Sequence, residues 1–230
     1  MEKMLGFMLD CSRNAVMKPS EVKEFATLLK KMGYNTLMLY TEDTYELDGH
    51  EFFGHFRGRF SKDELKELDD YAFSLGLELV PCMQTLAHLN AIFHWPEYKK
   101  IRDAEDILLA ENERTYALVE NMISTLRKCL RTDKINIGMD EAHQLGLGRY
   151  IRFKGYKNQH EIMLHHLDLV TKQCHKAGYH PMIWSDMFFR MTNNGVYRVM
   201  GHVVPDHIIE SVPADQTLVY WEYIQVNREN

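Results

Sequence analysis

Short apolar runs alternate with amphipathic segments along this chain. The runs show no period-two alternation, which is the pattern of strands that are buried on both faces of a parallel sheet. Several of them follow a glycine that ends a helical pattern. The runs predict strands near residues 4–10, 35–40, 77–82, 134–139, 180–185 and 217–222.

The segments between the runs carry apolar residues three and four positions apart, as amphipathic helices do. Ser61 and Glu64 form a capping-box pattern at the start of one segment. Gly33, Gly76 and Gly178 stand where three of the helical patterns end, a position that favours the left-handed conformation. The periodicity predicts helices near residues 19–32, 62–75, 112–131 and 158–177.

Strand and helix alternate in a way that predicts βα units and a parallel sheet. Six strands with long loops after them suit an α/β fold of the (β/α)₈ TIM-barrel class, with about six βα units in this chain. The count stops short of eight, so either two units are missing or the sheet is open. We expect one domain over residues 1–230, truncated at its C-terminus.

Polar and aromatic side chains gather where the predicted strands end, which is the side of such a barrel that carries the chemistry. Aromatic rings beside carboxylates and an arginine are typical of a carbohydrate pocket, because rings stack on sugar faces and charged groups bind hydroxyls. The gathered residues are Asp10, Ser12, Arg13 and Asn14; Tyr40, Glu42 and Asp43; Gln84 and His88; Asp140 and Glu141; Trp184 and Asp186; and Tyr220, Trp221 and Glu222.

Composition narrows the function classes. The 230 residues carry a net charge of -6 and a pI near 6.1, which disfavours a nucleic-acid partner. Neither a signal peptide nor a run long enough to span a membrane is evident, so a cytoplasmic location without membrane attachment is expected. The four cysteines form no CxxC and predict buried thiols rather than a zinc site.

Residues 140–143 spell Asp-Glu-Ala-His, the letters of a helicase box. An NTPase also needs a phosphate-binding GxxxxGK[ST] loop, and neither Gly-Lys-Ser nor Gly-Lys-Thr occurs. The acidic pair therefore indicates a different chemistry. A buried pair of adjacent carboxylates would be costly without a function.

The segment Asn136-Ile137-Gly138-Met139-Asp140-Glu141 resembles the [HN]-x-G-x-D-E signature of glycoside hydrolase family 20, the β-N-acetylhexosaminidases. The resemblance extends over nearly the whole chain: "DCSRN" after the first strand, "YTED" after the second, a histidine after the third, "WSDM" after the fifth and "VYWEY" after the sixth. It implies hydrolysis of terminal, non-reducing β-linked GlcNAc or GalNAc with retention, assisted by the substrate's own acetamido group.

The resemblance also implies roles for individual residues. Glu141 would be the general acid and base, and Asp140 would hold the acetamido nitrogen while the acetamido oxygen attacks the anomeric carbon. Tyr220 would donate to that oxygen. The remaining substrate-binding residues would be Trp184 and Trp221 as pocket walls, Arg13 and Glu222 on sugar hydroxyls, His88 with Glu42 or Asp43 as a relay to Glu141, and Asp186 as a further pocket residue.

The chain departs from the family in having Glu42-Asp43 where an Asp-Asp pair is usual, which leaves open which of the two acts. Three alternatives stay open: a different retaining glycosidase with two separated carboxylates, an incomplete, inactive sugar-binding fragment, and a metal-dependent barrel enzyme. Neither a cofactor nor a metal is expected. The expected partner is an N-acetylhexosamine-containing glycan or glycoconjugate, and a homo-oligomer is possible.

Overall fold

A computed structural model describes residues 3–13, 15–197, 201 and 203–223, so that Asn14 of the first strand-end group lies outside the described residues. Six strands lie close to the predicted positions. They are β1 (Gly6–Asp10), β2 (Thr36–Tyr40), β3 (Glu78–Cys82), β4 (Lys134–Asn136), β5 (His180–Trp184) and β6 (Thr217–Val219).

The four predicted helices are present, with short helices added in the loops. At the start of the second helix the capping box forms, since the Ser61 hydroxyl accepts from the Glu64 N–H and the Glu64 carboxylate accepts from the Ser61 N–H. The helices are α1 (Pro19–Lys31), α2 (Lys62–Ser74), α3 (Glu113–Cys129), α4 (Arg149–Lys154), α5 (Gln159–Lys176), α6 (Asp186–Arg190) and α7 (Asp206–Ile209), with 3₁₀ turns at Ile92–His94 and Lys99–Ile101.

All six strands are parallel, and their order in the sheet is their order in the chain. A doubly wound sheet would reverse direction from a central strand, whereas consecutive order is that of a (β/α)₈ barrel. The six strands are therefore six consecutive, neighbouring strands of such a barrel. Every strand ends on the same side, so the loops after them meet there.

The helices cover one face of the sheet and a small cluster lies on the other. α1 buries Val22, Ala26 and Leu29 in the main core, and α2, α3 and α5 bury similar stripes. On the inner face Tyr40, Cys82 and Trp184 form a separate buried cluster with Met8, Met38, Val219 and Trp221 packed against it. This inner cluster supports the carboxyl ends of the strands.

The expectation that strands are buried on both faces is confirmed for β2, β3 and β5 and is wrong for β1 and β6. Within the described part of the chain, each of these two pairs with one neighbour only. Phe7 and Leu218 are consequently exposed. Apolar sequence alone cannot distinguish an edge strand from an inner one.

Strands β4 and β6 are shorter than the predicted 134–139 and 217–222. β4 ends at Asn136 because Gly138 and Met139 take left-handed backbone conformations, at φ 73° and 72°. The catalytic candidates thus stand on loops just beyond the sheet. No helix of the described residues is long and apolar enough to cross a membrane.

Candidate active site

The segment after β4 is held in a conformation that suits glycine at one position. A Cβ on Gly138 would lie 2.1 Å from Gln84 Oε1 and 2.7 Å from the Met83 carbonyl oxygen. The same Gln84 oxygen accepts from the Met139 N–H at 3.2 Å. The glycine of the sequence signature therefore allows the β3 loop to contact the β4 loop directly, which fixes the backbone that leads to Asp140.

Asp140 is nearly buried, and both of its carboxylate oxygens have partners. Gln84 Nε2 donates to Oδ1 at 2.7 Å, and His88 Nε2 lies 3.1 Å from Oδ2. The same Gln84 amide also donates to the Tyr40 hydroxyl at 3.0 Å. Burial by itself would raise the pKa of Asp140, but the His88 and Gln84 contacts outweigh it and hold that pKa below its ordinary value of 3.8.

His88 lies between three carboxylates. Its Nε2 is 3.1 Å from Asp140 and 3.7 Å from Glu141 Oε2. Its backbone N–H donates to Asp106 at 3.0 Å, and Nδ1 lies 3.9 Å from the same carboxylate. Burial alone would lower the pKa of His88, but Asp140 and Asp106 outweigh it and raise that pKa above 6.5. The two carboxylates thus stabilise the protonated form of the His88 ring relative to a free histidine.

His88 acts electrostatically on Glu42, as the sequence analysis expected for Glu42 or Asp43, but its third close carboxylate beside Asp140 and Glu141 is Asp106. Glu42 instead accepts from the Tyr40 hydroxyl at 3.2 Å and lies 3.7 Å from Arg13. The loop residues 83–112 bring Asp106 to the histidine, and no strand-end pattern marks that position.

Two arginines hold the acidic pair that follows β2. Arg57 Nε lies 3.0 Å from Asp43, and its Nη2 donates to the Ser12 carbonyl and lies 3.7 Å from Glu42. Burial raises the pKa of both Glu42 and Asp43, and the neighbouring arginines oppose that rise. Asp43 is directed to the 44–60 loop, whereas Glu42 reaches the site through Tyr40 and Arg13.

A pocket of about 100 Å³ opens over the strand ends. The Arg13 guanidinium lies over the Tyr40 ring at 4.4 Å and donates to Asp10 at 3.1 Å. Aromatic surface and opposite charges thus meet in one concavity, as the carbohydrate interpretation expects. The pocket is lined by Met8, Arg13, Tyr40, Asp140, Glu141, Trp184, Trp221 and Tyr223.

Glu141 differs from Asp140 in its exposure. Its side chain is 37% exposed, against 11% for that of Asp140. Its backbone N–H donates to Asp186 Oδ2 at 3.1 Å, and its Oε1 lies 3.3 Å from Arg190 Nη2. Asp186 is wholly buried and does not line the pocket, so it anchors the backbone of Glu141 rather than forming a pocket wall.

The residues after β6 divide between the pocket and the surface. Trp221 lines the pocket, as expected, and so does Tyr223, which the sequence did not single out. Tyr220 is 56% exposed and donates to Glu222 at 3.1 Å. Neither Tyr220 nor Glu222 is among the lining residues, so the structure brings together Trp184 and Trp221 but not these two.

His88, Asp140 and Glu141 offer one ligand atom each, all within 4.8 Å of one another, and could together hold a metal ion. The four cysteines, by contrast, are free and buried, in agreement with the sequence prediction.

Comparisons with known proteins decide the family. Residues 4–228 match the model of glycosyl hydrolase family 20, catalytic domain. The chain belongs to glycosyl hydrolase family 20.

Two relatives of this family 20 chain are named Hexosaminidase D. The human protein is 25% identical over 184 residues, which cover 76% of this chain and 38% of the relative. The bovine protein is 24% identical over 185 residues, which cover 76% and 53%. The chain thus spans between about two fifths and one half of the relatives that it matches.

Solved structures of family 20 enzymes share the fold. The exo β-N-acetylglucosaminidase from Vibrio harveyi, solved with N-acetylglucosamine, superposes with a TM-score of 0.75 at 15% identity, covering 96% of this chain and 38% of that one. The N-acetyl-β-hexosaminidase from Streptomyces plicatus gives 0.70 at 20% identity, covering 97% and 43%. The six parallel strands are thus part of a family 20 (β/α)₈ barrel.

Several residues at the site had no role assigned to them from the sequence. Tyr40 and Gln84 were visible as polar groups at strand ends. Arg190 had only a weak signal, its spacing of four from Asp186 on one helix, which the structure realises as a 2.9 Å contact. Tyr223 was visible only as the last residue of the "VYWEY" segment, and Asp106 had no signal because it lies in an irregular loop.

Proposed function

We propose that this family 20 domain carries the active site of a β-N-acetylhexosaminidase, which releases terminal, non-reducing β-linked GlcNAc or GalNAc with retention of configuration. The observation that carries the proposal is the contrast between Asp140, held ionised and nearly buried, and its neighbour Glu141, exposed to the pocket. Two carboxylates with opposite surroundings suit two different roles in one reaction.

Asp140 is the proposed partner of the 2-acetamido nitrogen. An ionised carboxylate has about four acceptor positions, so the contacts from Gln84 and His88 leave room for one more N–H. That hydrogen bond orients the acetamido oxygen toward the anomeric carbon, which it attacks to form a cyclic intermediate. Both Asp140 oxygens are already engaged and recessed, which argues against Asp140 as a covalent nucleophile.

Glu141 is the proposed general acid and base. As the C1–O bond breaks, its carboxyl proton passes to the leaving glycosidic oxygen, and the acetamido oxygen bonds to C1. In the second half-reaction, water attacks C1 and gives its proton to the Glu141 carboxylate, and the acetamide re-forms. Each proton that Glu141 donates is thus returned within one turnover.

The other pocket residues are proposed to bind the sugar. Trp184 and Trp221 offer apolar walls for the acetamido methyl, and Arg13 offers donors for ring hydroxyls. Tyr220 is proposed as the donor to the acetamido oxygen, which requires its hydroxyl to turn from Glu222. The proposed substrate is a glycan or glycoconjugate with a terminal N-acetylhexosamine, and the proposed compartment is the cytoplasm.

The names of the two Hexosaminidase D relatives and of the family 20 neighbours support this proposal. The test compares initial rates of the 230-residue chain on 4-nitrophenyl β-GlcNAc, β-GalNAc and β-glucoside. Cleavage of the acetamido substrates alone supports assistance by the substrate.

Cleavage of the glucoside at a similar rate would favour the two-carboxylate glycosidase instead. Silence on all three substrates from a folded sample would contradict activity in this chain and favour the sugar-binding alternative. In that case, binding of GlcNAc measured by calorimetry would separate a sugar-binding pocket from an empty one.

A further inference from the structure

Arg190 closes the last turn of α6 and joins three parts of the site. Its Nε donates to Asp186 at 2.9 Å, and its Nη1 donates to the Gly195 carbonyl at 3.2 Å. Its Nη2 donates to Glu141 Oε1 at 3.3 Å. The side chain is only 14% exposed, so these contacts are partly shielded from water.

Aromatic rings complete the surroundings of this guanidinium. It lies 5.2 Å from the centroid of Tyr197 and 5.8 Å from that of Trp221, which itself lines the pocket. The Tyr197 hydroxyl in turn accepts from the backbone N–H of Trp221 at 3.3 Å. Arg190 thus connects the ends of β4, β5 and β6, and its position is fixed from several directions.

The contact with Arg190 makes the two oxygens of Glu141 different. Oε1 accepts from the guanidinium, whereas Oε2 faces His88 at 3.7 Å. An arginine can only donate, so a proton on Oε1 would compete with the Arg190 N–H for the same direction. The proton that Glu141 transfers therefore belongs on Oε2.

Several other charged groups lie around Glu141. His88 approaches from the β3 loop, and Asp140 precedes it in the chain. Asp186 lies beneath its backbone, and Arg13 lies across the pocket from it. Two arginines, one histidine and two aspartates thus surround the Glu141 carboxyl group.

We propose that Arg190 is a positioning residue that holds Glu141 Oε1, directs the transferable proton to Oε2 and stabilises the carboxylate that forms after protonation of the leaving group. The inference rests on the proposed function of Glu141, which it deepens. Arg190 acts through Glu141 and is not assigned a contact with substrate.

The test measures kcat/KM against pH on 4-nitrophenyl β-GlcNAc for the wild type, Arg190→Gln, Arg190→Met and Arg190→Lys. The alkaline limb reports loss of the proton from the general acid. Removal of the positive charge should move that limb upward by about one pH unit in the Gln and Met variants. Arg190→Lys keeps the charge and should leave the limb near its wild-type position.

Arg149→Gln is the matched control, because Arg149 is exposed and donates to the Lys99 carbonyl away from the pocket. It should leave the whole profile unchanged. A purely structural role for Arg190 would lower the rate at every pH without moving the limb, and that result would overturn the inference. Met preserves the stacking on Tyr197 and Trp221, so it supplies a second neutral variant should Gln fail to fold.

A second readout does not depend on activity. Carboxyl-¹³C glutamate labelling, with Glu141→Gln to assign the resonance, gives the midpoint at which Glu141 titrates. The midpoint should be higher in the neutral Arg190 variants than in the wild type, and an equal midpoint would overturn the inference. If the wild type hydrolyses nothing, the proposed function fails while this titration still decides the role of Arg190.

Discussion

The two ends of the parallel sheet carry concavities of different size and different organisation. At the amino ends of the strands, a cleft of about 680 Å³ is lined by residues that include Asp69, Glu78, Arg131 and Lys134. At the carboxyl ends, the pocket around Asp140 measures only about 100 Å³. The smaller concavity is the candidate active site, so size does not identify function here.

Charges at the amino ends form ion pairs whose cations are about two fifths exposed. Lys134 Nζ lies 2.6 Å from Glu78, and Arg131 Nε lies 2.8 Å from Asp69. Each of these carboxylates has its cation beside it, and the partly exposed Glu78–Lys134 pair contributes little to stability. Nothing in this arrangement leaves a group poised to act on a ligand.

Charges at the carboxyl ends are shared among several partners and are more shielded from water, since the Arg190 side chain is 14% exposed against 41% for Arg131. His88 faces Asp140, Glu141 and Asp106, and Arg190 faces both Glu141 and Asp186. Clusters of charged groups with shared partners in a shielded site are typical of places where acid–base chemistry occurs. Substitutions at matched positions of the two ends therefore test this difference.

Glu141→Gln should have the largest effect, because it removes the proposed general acid and base. We expect a loss of about 10²- to 10⁴-fold in kcat on 4-nitrophenyl β-GlcNAc with the melting temperature preserved. Glu78→Gln is the control from the amino end, since its side chain is 30% exposed against 37% for Glu141. Equal rates for the wild type and Glu141→Gln would refute the assignment.

Asp140→Asn should come next. It replaces the oriented anion with an amide, and we expect a loss on the order of 10²-fold in kcat/KM for 2-acetamido substrates. Asp133→Asn at the amino end is the control, because Asp133 is half exposed and lies 3.8 Å from His180. If Asp140→Asn cleaved 4-nitrophenyl β-GlcNAc at wild-type rates, substrate assistance through Asp140 would be ruled out.

His88→Gln should lower kcat/KM roughly tenfold, because it removes the imidazole that faces both Asp140 and Glu141. It should also change how stability depends on pH. The raised pKa of His88 stabilises the fold below pH 6.5, and this contribution is lost as pH rises through that pKa. The lowered pKa of Asp140 stabilises it above pH 3.8, and this is lost as pH falls through that pKa.

The difference in unfolding free energy between the wild type and His88→Gln should thus be largest between pH 3.8 and pH 6.5. It should shrink as the pH rises through the raised pKa of His88. Denaturant melts across the pH range measure it. His180→Gln, which alters an exposed histidine at the amino end, should give no such window. A difference that stayed constant with pH would mean that His88 acts through packing alone.

Arg131→Gln should have the smallest effect. Removing this amino-end cation leaves the buried Asp69 carboxylate without its ion-pair partner, so it should lower the unfolding free energy by about 1–3 kcal/mol while kcat/KM stays unchanged within about twofold. Parallel denaturant melts and rate assays check both values. A large loss of activity here would show that the two ends of the sheet are coupled, contrary to the comparison.

The fold was predictable from sequence because its signals are local. Apolar runs, helical stripes and the Ser61–Glu64 cap each report on a few neighbouring residues, and six βα units follow from their alternation. The pairing partners of a strand are not local, so the exposure of Phe7 in β1 and Leu218 in β6 could not be read from their apolar sequence.

The site was predictable where it follows strand ends and not where it depends on loops. Asp140, Glu141, Trp184 and Trp221 meet in the pocket because parallel strands end on one side. The partner of His88 depends on how residues 83–112 fold back, which no periodicity encodes. The contact of Asp106 with His88 was therefore not visible in the sequence.

The left-handed segment after β4 has a consequence for engineering. Gly138, Met139 and Glu141 all have positive φ, and a methyl group on the first would overlap Gln84. A combinatorial library that randomises this turn would consist mainly of variants with a displaced acidic pair, whatever their side chains. Diversity aimed at new leaving groups belongs on the pocket rim, where Tyr223 is 90% exposed.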